Sequence, residues 1–253
     1  KTDRGKYFRY RKIMEDLTLT PDIYTQLKRA FMGGFTHANA SYSGKVLNNV
    51  SSIDFTSSYP AVMVSEQFPM SRFKEVVIKS ESELSKYCVK YAMIFDIRFT
   101  NIKAKINQEV YLSESKCISL TNPSINNGRV YSADVLATTI TEVDLDIMKQ
   151  VYTWDSIELA NVKYAHKGYL PKAIIESILN LYQDKTVLKD VQGQEVEYML
   201  SKGMLNSIYG MCVTDVVKNN AVYRDDWTTE LANPLEVIDK YNTSKTRFLY
   251  YPW

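Results

Sequence analysis

The run Ser52-Ile53-Asp54-Phe55-Thr56-Ser57-Ser58-Tyr59-Pro60 places an acid at the end of an apolar stretch and turns at once, through Ser-Tyr-Pro, towards a helix. An aspartate at a strand's end can hold a hard divalent cation together with the next carbonyl. The amides of the following helix N-terminus then point at phosphate oxygens, so the pattern suits phosphoryl transfer. It equally suits an aspartate that only caps a helix. A second set is Lys202-Gly203-Met204-Leu205-Asn206-Ser207-Ile208-Tyr209-Gly210. At about 100° per residue, Lys202, Asn206, Tyr209 and Gly210 fall on one stripe, with Leu200, Met204, Ile208 and Met211 opposite as a packing face. Lysine offers a point charge for a polyphosphate, tyrosine a flat face for a base, and glycine room for a close-lying strand. The same stripe also reads as an ordinary solvent face.

The elements that must position these residues are read from periodicity, since Gly and Pro are sparse and there are no repeats. Thr20-Pro21 opens a helix that runs from Pro21 to Phe35 and stops at Gly33-Gly34. A strand is expected over Val50 to Phe55, then a helix from about Pro60 to Ser65. Tyr87 to Phe99 alternates apolar residues and reads as a central sheet strand. From Asn101 to Val162 the text is rich in strands and turns, with a hairpin turn at Asn126-Asn127-Gly128 and a helix from Glu142 to Tyr152. Pro171 to Lys189, with Ile174, Ile175, Ile178, Leu181 and Tyr182 on one face, and Glu195 to Met211 form a helical hairpin around an Asp190 to Gln194 turn. Beyond Cys212, Tyr223 to Thr229 is expected to be extended and Pro234 to Tyr241 helical.

With 253 residues and 45% apolar content the chain can bury a real core. No stretch approaches the roughly 20 apolar residues of a membrane span, and the basic first dozen residues lack the apolar run of a secretory signal. A cytoplasmic location is the expectation. Cys88, Cys117 and Cys212 form no CxxC pair, and His37 and His166 are the only two histidines, so any metal should be oxygen-bound. The 31 Lys and Arg against 29 Asp and Glu give a net charge of +2, with no global basicity. Locally, Lys1, Arg4, Lys6, Arg9, Arg11 and Lys12 face one acid, Asp3, a density suited to phosphate contacts or to a solvated arm.

In this order, Asp54 to Pro60 resembles motif A of family B DNA polymerases, and Lys202 to Gly210 resembles their motif B, Lys-x-x-x-Asn-Ser-x-Tyr-Gly. Phe31-Met32-Gly33-Gly34-Phe35 is similar to the family's Tyr-x-Gly-Gly element, which contacts the template strand. Phe31 stands where the family has Tyr, which keeps the stacking face and removes the hydroxyl. The long spacer between the motifs resembles the protein-primed branch of small tailed phages, adenoviruses and linear plasmids, with an insertion near Asn101 to Tyr164. The resemblance implies an α+β fold: a palm-type antiparallel sheet with flanking helices, a helical-hairpin fingers element and a small strand-rich insertion. It further implies a front part of the palm over 1–100, the insertion over 101–164, fingers over 165–211 and a return into the palm over 212–253.

The resemblance also implies roles. Asp54 would bind two magnesium ions (Mg2+) with help from the Phe55 carbonyl, and Ser57, Ser58 and Tyr59 would line the triphosphate and sugar pocket, Tyr59 as steric gate. Lys202, aided by Lys185 or Lys189, would hold the incoming dNTP. Asn206 and Tyr209 would bound the nascent base pair, and Phe31, Gly33, Gly34, Ser207 and Gly210 would meet DNA. Template and primer DNA, dNTPs and a terminal-protein primer are the expected partners, with no membrane. The family's second acid pair, Tyr-x-Asp-Thr-Asp-Ser, has no counterpart in these residues. Asp144-Leu145-Asp146 and Asp225-Asp226 read as capping or surface acids. The chain therefore reads as a polymerase fragment, inactive alone. The alternative is a non-catalytic nucleic-acid or terminal-protein binding module on the same scaffold.

Overall fold

The computed structural model describes residues 4–34, 36, 40–105, 110–214, 221–223 and 229–231. In chain order these form α1 (Arg4–Leu17), α2 (Pro21–Ala30), α3 (Ser58–Ser65), β1 (Phe68–Pro69), β2 (Lys74–Glu75), α4 (Glu81–Lys90) and β3 (Tyr91–Ala104). They continue with β4 (Cys117–Thr121), β5 (Ser124–Asn126), β6 (Arg129–Thr141), α5 (Glu142–Val151), β7 (Tyr152–Thr153) and β8 (Ser156–Gly168). Last come α6 (Lys172–Val187), α7 (Glu195–Cys212), β9 (Ala221–Tyr223) and β10 (Thr229–Leu231). The architecture is α+β. The residues divide into two units, Lys1–Thr56 with Glu66–Leu170, and Ser57–Ser65 with Pro171–Trp253.

The first unit is organised around β3, which pairs antiparallel with β6 on one side and β8 on the other in a sheet ordered β1-β8-β3-β6-β4. Ala92, Met93, Ile94 and Phe95 are all buried, so this central strand is covered on both faces. Met93, Phe95, Ile97 and Phe99 share one core with Leu84 of α4 and with Leu145 and Met148 of α5. The opposite face carries Ile94, whose cross-strand partner is Lys163, and Asp96, whose partner is Thr139. Directly paired residues share a face, and α2 lies on this one: the Lys163 ammonium donates to Gln26 Oε1 at 2.8 Å, and Gln26 Nε2 donates to the Asn161 carbonyl at 2.8 Å. Asp96 accepts from Thr139 Oγ1 at 2.6 Å and Asn161 Nδ2 at 2.7 Å. Gln26, Thr139 and Lys163 are buried, which is tolerable because each is bonded.

Several local expectations hold. The Asn127-Gly128 turn has φ of 49° and 69°, as a type I′ hairpin turn requires, and it joins Asn126 to its partner Arg129. A capping box starts α5: the Thr141 hydroxyl accepts from the Asp144 N–H while the Asp144 carboxylate accepts from the Thr141 N–H. Asp144 is thus a cap, and Asp146 is exposed.

Others are corrected. No strand forms over Val50–Phe55. Those residues are irregular and exposed, Ile53 at 92% and Phe55 at 83%, because among the described residues no strand pairs with them and a lone strand has no ladder. The central strand starts at Tyr91, not Tyr87. Ser80 caps α4 by accepting from the Glu83 N–H, which carries the helix through Lys90 and leaves Val89 exposed. Tyr87 and Tyr91 are four apart, a spacing that helix and strand patterns share. The helix from Pro21 ends at Ala30 rather than Phe35, with Phe31 already extended at ψ 120°. Independently of these corrections, β3 runs through residue 101, and β6 and β8 join it in the same sheet. Phe35, His37, Asp225-Asp226 and the helix expected over Pro234 to Tyr241 lie outside the described residues.

In the second unit α6 and α7 form the expected hairpin, with Asp190 at φ 61° and Gly193 at φ 83° in its turn. α3 packs on both helices. Among its described residues the buried ones are Pro60, Met63, Ile178 and Leu205. The packing stripe of α7 is therefore corrected: Leu205 faces inward, while Leu200, Met204 and Met211 are exposed at 60%, 57% and 70%. The helix is apolar over much of its surface, so hydrophobicity alone does not tell the inner face from the outer. Ile174 and Tyr182 of α6 are likewise exposed, and Ile178 takes the inward position.

Candidate functional site

The second unit brings the downstream half of the first motif onto the helical hairpin. Ser57 has a positive φ of 50°, rare for a residue with a side chain, and its carbonyl accepts the Ala61 N–H at 3.0 Å to start α3. That backbone presents its hydroxyl to α6, where Lys185 Nζ donates to Ser57 Oγ at 2.9 Å. Pro60 in the first turn forgoes an N–H that has no helical partner there.

One turn of α3 also aims Tyr59 at α7. The Tyr59 and Tyr209 rings are stacked, 3.9 Å between centroids and 15° between planes. Burial, then the neighbouring Tyr59 phenol, pushes the Tyr209 hydroxyl above its ordinary range. The Tyr209 hydroxyl therefore stays neutral at physiological pH and can donate a hydrogen bond.

Lys202 is exposed, and its ammonium lies over the ring of Tyr198, one turn earlier, 5.9 Å from the centroid. Tyr198 carried no signal in the motif; its i,i+4 spacing from Lys202 was the clue available. Ser207 turns its hydroxyl onto the Gly203 carbonyl at 2.8 Å, so it is tied to its own helix. A Cβ at Gly203 or Gly210 would meet nothing within 4 Å. Among the described residues the packing requires neither glycine, and each leaves open surface on α7. Asn206 is exposed, and Lys189 lies past the end of α6, exposed in the turn. A cavity of about 510 Å³ opens beside that turn, lined by Leu188, Asp190, Val191, Glu195 and Tyr198. Its two acids make it unsuited to a polyphosphate.

In the first unit, Asp54 and Phe55 sit in the exposed irregular segment. A carboxylate and a backbone carbonyl are the hard oxygen donors magnesium prefers. One carboxylate is only part of a two-ion donor set, and no group of three or more His, Cys, Asp or Glu that could hold a metal occurs among the described residues. The Phe31 ring lies 5.9 Å from the Lys116 ammonium, and a Cβ at Gly33 would meet nothing within 4 Å. Among the described residues no helix is long and apolar enough to cross a membrane.

Known proteins similar to this chain are DNA polymerases of phages. DNA polymerases of Bacillus phages Nf and M2 are each 24% identical over 221 residues, which is 86% of this chain and 36% of theirs. The polymerase of Bacillus phage B103 is 23% identical over 203 residues, 80% of this chain and 32% of its own. The chain thus spans about a third of the length of these relatives. Phi29 DNA polymerase, solved with primer-template DNA and incoming nucleotide substrates, has the same fold over 92% of this chain and 41% of its own, with a TM-score of 0.63 at 18% identity. The family model for DNA polymerase type B, organellar and viral, matches residues 6–251, and the chain belongs to that family.

Proposed function

We propose that this chain supplies the motif A and motif B part of a DNA-directed DNA polymerase, one that adds dNTPs to a DNA or terminal-protein primer under direction of a DNA template. The observation that carries the reading is the pair of contacts in the second unit, Lys185 to Ser57 and Tyr59 on Tyr209. They gather a cation, a hydroxyl and two flat aromatic faces from three helices, the groups a nucleotide's phosphates, sugar and base require. Lys185 is therefore favoured over Lys189 as the partner of Lys202 at the triphosphate. Tyr59 is the residue whose ring would meet a ribose 2′-hydroxyl, and Ser58 lies beside it. Asn206, Tyr209 and Gly210 would border the base pair, and Phe31, Gly33, Gly34 and Ser207 the DNA.

Asp54 and the Phe55 carbonyl would hold magnesium, which when bound neutralises triphosphate charge and activates the attacking hydroxyl. Asp54 contributes one of the carboxylates, and acids from the rest of the polymerase would complete the set. In the reading of the segments, residues 1–100 belong to the palm, 101–164 to an insertion that meets terminal protein or duplex, 165–211 to the fingers and 212–253 to the return into the palm. The insertion would be an elaboration of the palm sheet, since its strands continue that sheet. A protein of this kind would act in the cytoplasm of a bacterial host.

The test is Asp54→Asn in the complete parent polymerase. It should abolish nucleotide incorporation in a magnesium primer-extension assay and leave primed-DNA binding close to normal, since it removes a metal ligand and no phosphate contact. Retained incorporation refutes the assignment of Asp54. DNA binding with no incorporation by the unaltered parent would favour the non-catalytic binding module instead.

A further inference from the structure

β8 departs from its ladder with β3 at one place. Ile94 pairs with Lys163 and Asp96 with Ala160, so Asn161 and Val162 together oppose Phe95 alone, a β-bulge in the centre of the sheet. Asn161 adopts φ 50° there, a left-handed backbone that asparagine tolerates better than most side chains do. A bulged residue drops out of the ladder, which leaves its carbonyl for another donor. That donor is Gln26 Nε2 of α2 at 2.8 Å, while Gln26 Oε1 accepts from the Lys163 ammonium at 2.8 Å. One amide is engaged at both ends, by Asn161 and Lys163 on either side of Val162. The Asn161 side chain holds the bulge in turn by donating to Asp96 at 2.7 Å, and Asp96 accepts from Thr139 of β6 at 2.6 Å. The bonds run unbroken from β6 through β3 and β8 to α2. Gln26 and Lys163 are only 4% and 5% exposed. Gln26 and Ala30 are the buried residues of α2, with Ile23 and Leu27 half-buried beside them. Apolar contact has no direction, so it lets a helix turn or slide on a sheet, whereas a two-ended amide bond is satisfied at one rotation and one register. A buried ammonium is also a costly route to stability. Its partners are a neutral amide oxygen and the Asp22 carboxylate at 3.7 Å, and apolar residues of similar volume would serve folding as well. What the polar pair supplies beyond them is direction.

The segment so placed is the one that follows α2. Phe31 comes about 7.5 Å further along the axis than Gln26, so a turn or slip of the helix carries its ring with it. We propose that the bulge at Asn161 and the buried Gln26–Lys163 pair form a positioning device for α2, one that holds Phe31-Met32-Gly33-Gly34 where the template strand meets it. Gln26 and Lys163 act through the helix, as positioning residues. The proposal rests on the reading that this element meets DNA, and is independent of Asp54 and of the Tyr59–Tyr209 pair.

The experiment replaces both partners, Gln26→Met with Lys163→Met, because an apolar pair of similar shape removes the bonds without leaving a buried charge unpaired. In the 253-residue chain labelled with 4-fluorophenylalanine, the melting temperature of this double variant should stay within about 4 °C of the unaltered chain. The Phe31 fluorine resonance, identified by its loss in Phe31→Leu, should shift or split, and that of Phe99, on the other face of the sheet, should stay. In the complete parent polymerase the double variant should raise the KM for primer-template at least about fivefold, with the half-saturating dNTP concentration unchanged. An unmoved Phe31 resonance overturns the proposal. So does an unchanged KM for primer-template where Phe31→Ala raises it, or an equal rise in both constants. A double variant that fails to fold would make the pair a packing contact and also overturn it. If Phe31→Ala itself leaves the KM for primer-template unchanged, the DNA reading of the element fails, and the Phe31 resonance alone decides the positioning.

Discussion

Lys185 donates to a neutral hydroxyl, and no acid among the described residues is within ion-pair distance of it, so its charge is oriented but uncompensated. A polyphosphate would supply the missing anion and gain a charge-assisted contact. Lys202 differs: it lies at the edge of α7 over Tyr198, a contact that positions the ammonium without neutralising it. In the parent polymerase Lys202→Ala should therefore raise the nucleotide concentration needed for half-maximal incorporation by an amount on the order of 1.5–3 kcal/mol, with Lys185→Ala similar. Ser57→Ala should cost less, since it frees the ammonium instead of removing it. An unchanged concentration dependence in Lys202→Ala would return the stripe to a solvent face. Tyr59→Val should admit ribonucleotides, read as incorporation of rNTPs by the variant and not the parent. At this scale the chemistry was legible, because charge, flatness and the missing Cβ are properties of residue types. The positive φ of Ser57 was not, because only its place between α3 and Lys185 selects that backbone.

Elements were legible where a local device sets their ends. Thr141 and Asp144 begin α5, and Asn127-Gly128 turns β5 into β6, each within a few residues. They failed where two periods coincide or where a partner decides. Tyr87 to Lys90 reads equally well as strand or helix, and Ser80 resolved it. Val50 to Phe55 reads as a strand, but among the described residues no strand pairs with it, so composition could not make it one. Leu205 and not Met204 faces inward on α7 because the neighbours, not the apolar pattern, choose the buried side. The capping box supplies an element-scale test. Thr141→Ala should destabilise the chain by about 1 kcal/mol and Asp144→Ala by somewhat more, since Asp144 also accepts from the Tyr111 hydroxyl. The exposed Asp146→Asn should stay within about 0.5 kcal/mol. Denaturant midpoints measure all three, and Thr141→Ala should leave incorporation by the parent unaltered at temperatures where it is folded. A selective loss of incorporation in Asp146→Asn would mean that Asp144-Leu145-Asp146 is not merely a helix start.

At the scale of the molecule, each unit has its own reason to fold. The first buries both faces of β3, one against α4 and α5 and the other against α2 through the Gln26, Asn161 and Lys163 bonds. The second rests on a smaller set, Ile178 and Leu205 with Met63. Folding, however, is a weaker requirement than catalysis. Two-metal phosphoryl transfer needs carboxylates on both sides of the ion pair, because one aspartate can neither neutralise two divalent cations nor hold them about 4 Å apart. Asp54 is one carboxylate, and no acid cluster that could share the ions occurs among the described residues. The 253-residue chain should therefore show the far-ultraviolet signature of mixed helix and sheet, bind magnesium weakly and extend no primer. The same residues within the longer parent should extend one, given a DNA or terminal-protein primer. A paired primer-extension assay on the two proteins, at matched concentration in magnesium, decides the matter. Incorporation by the shorter protein would mean that a second acid already stands beside Asp54. Asp225-Asp226 would be the first pair to replace with asparagine, and loss of that activity would identify it as the partner.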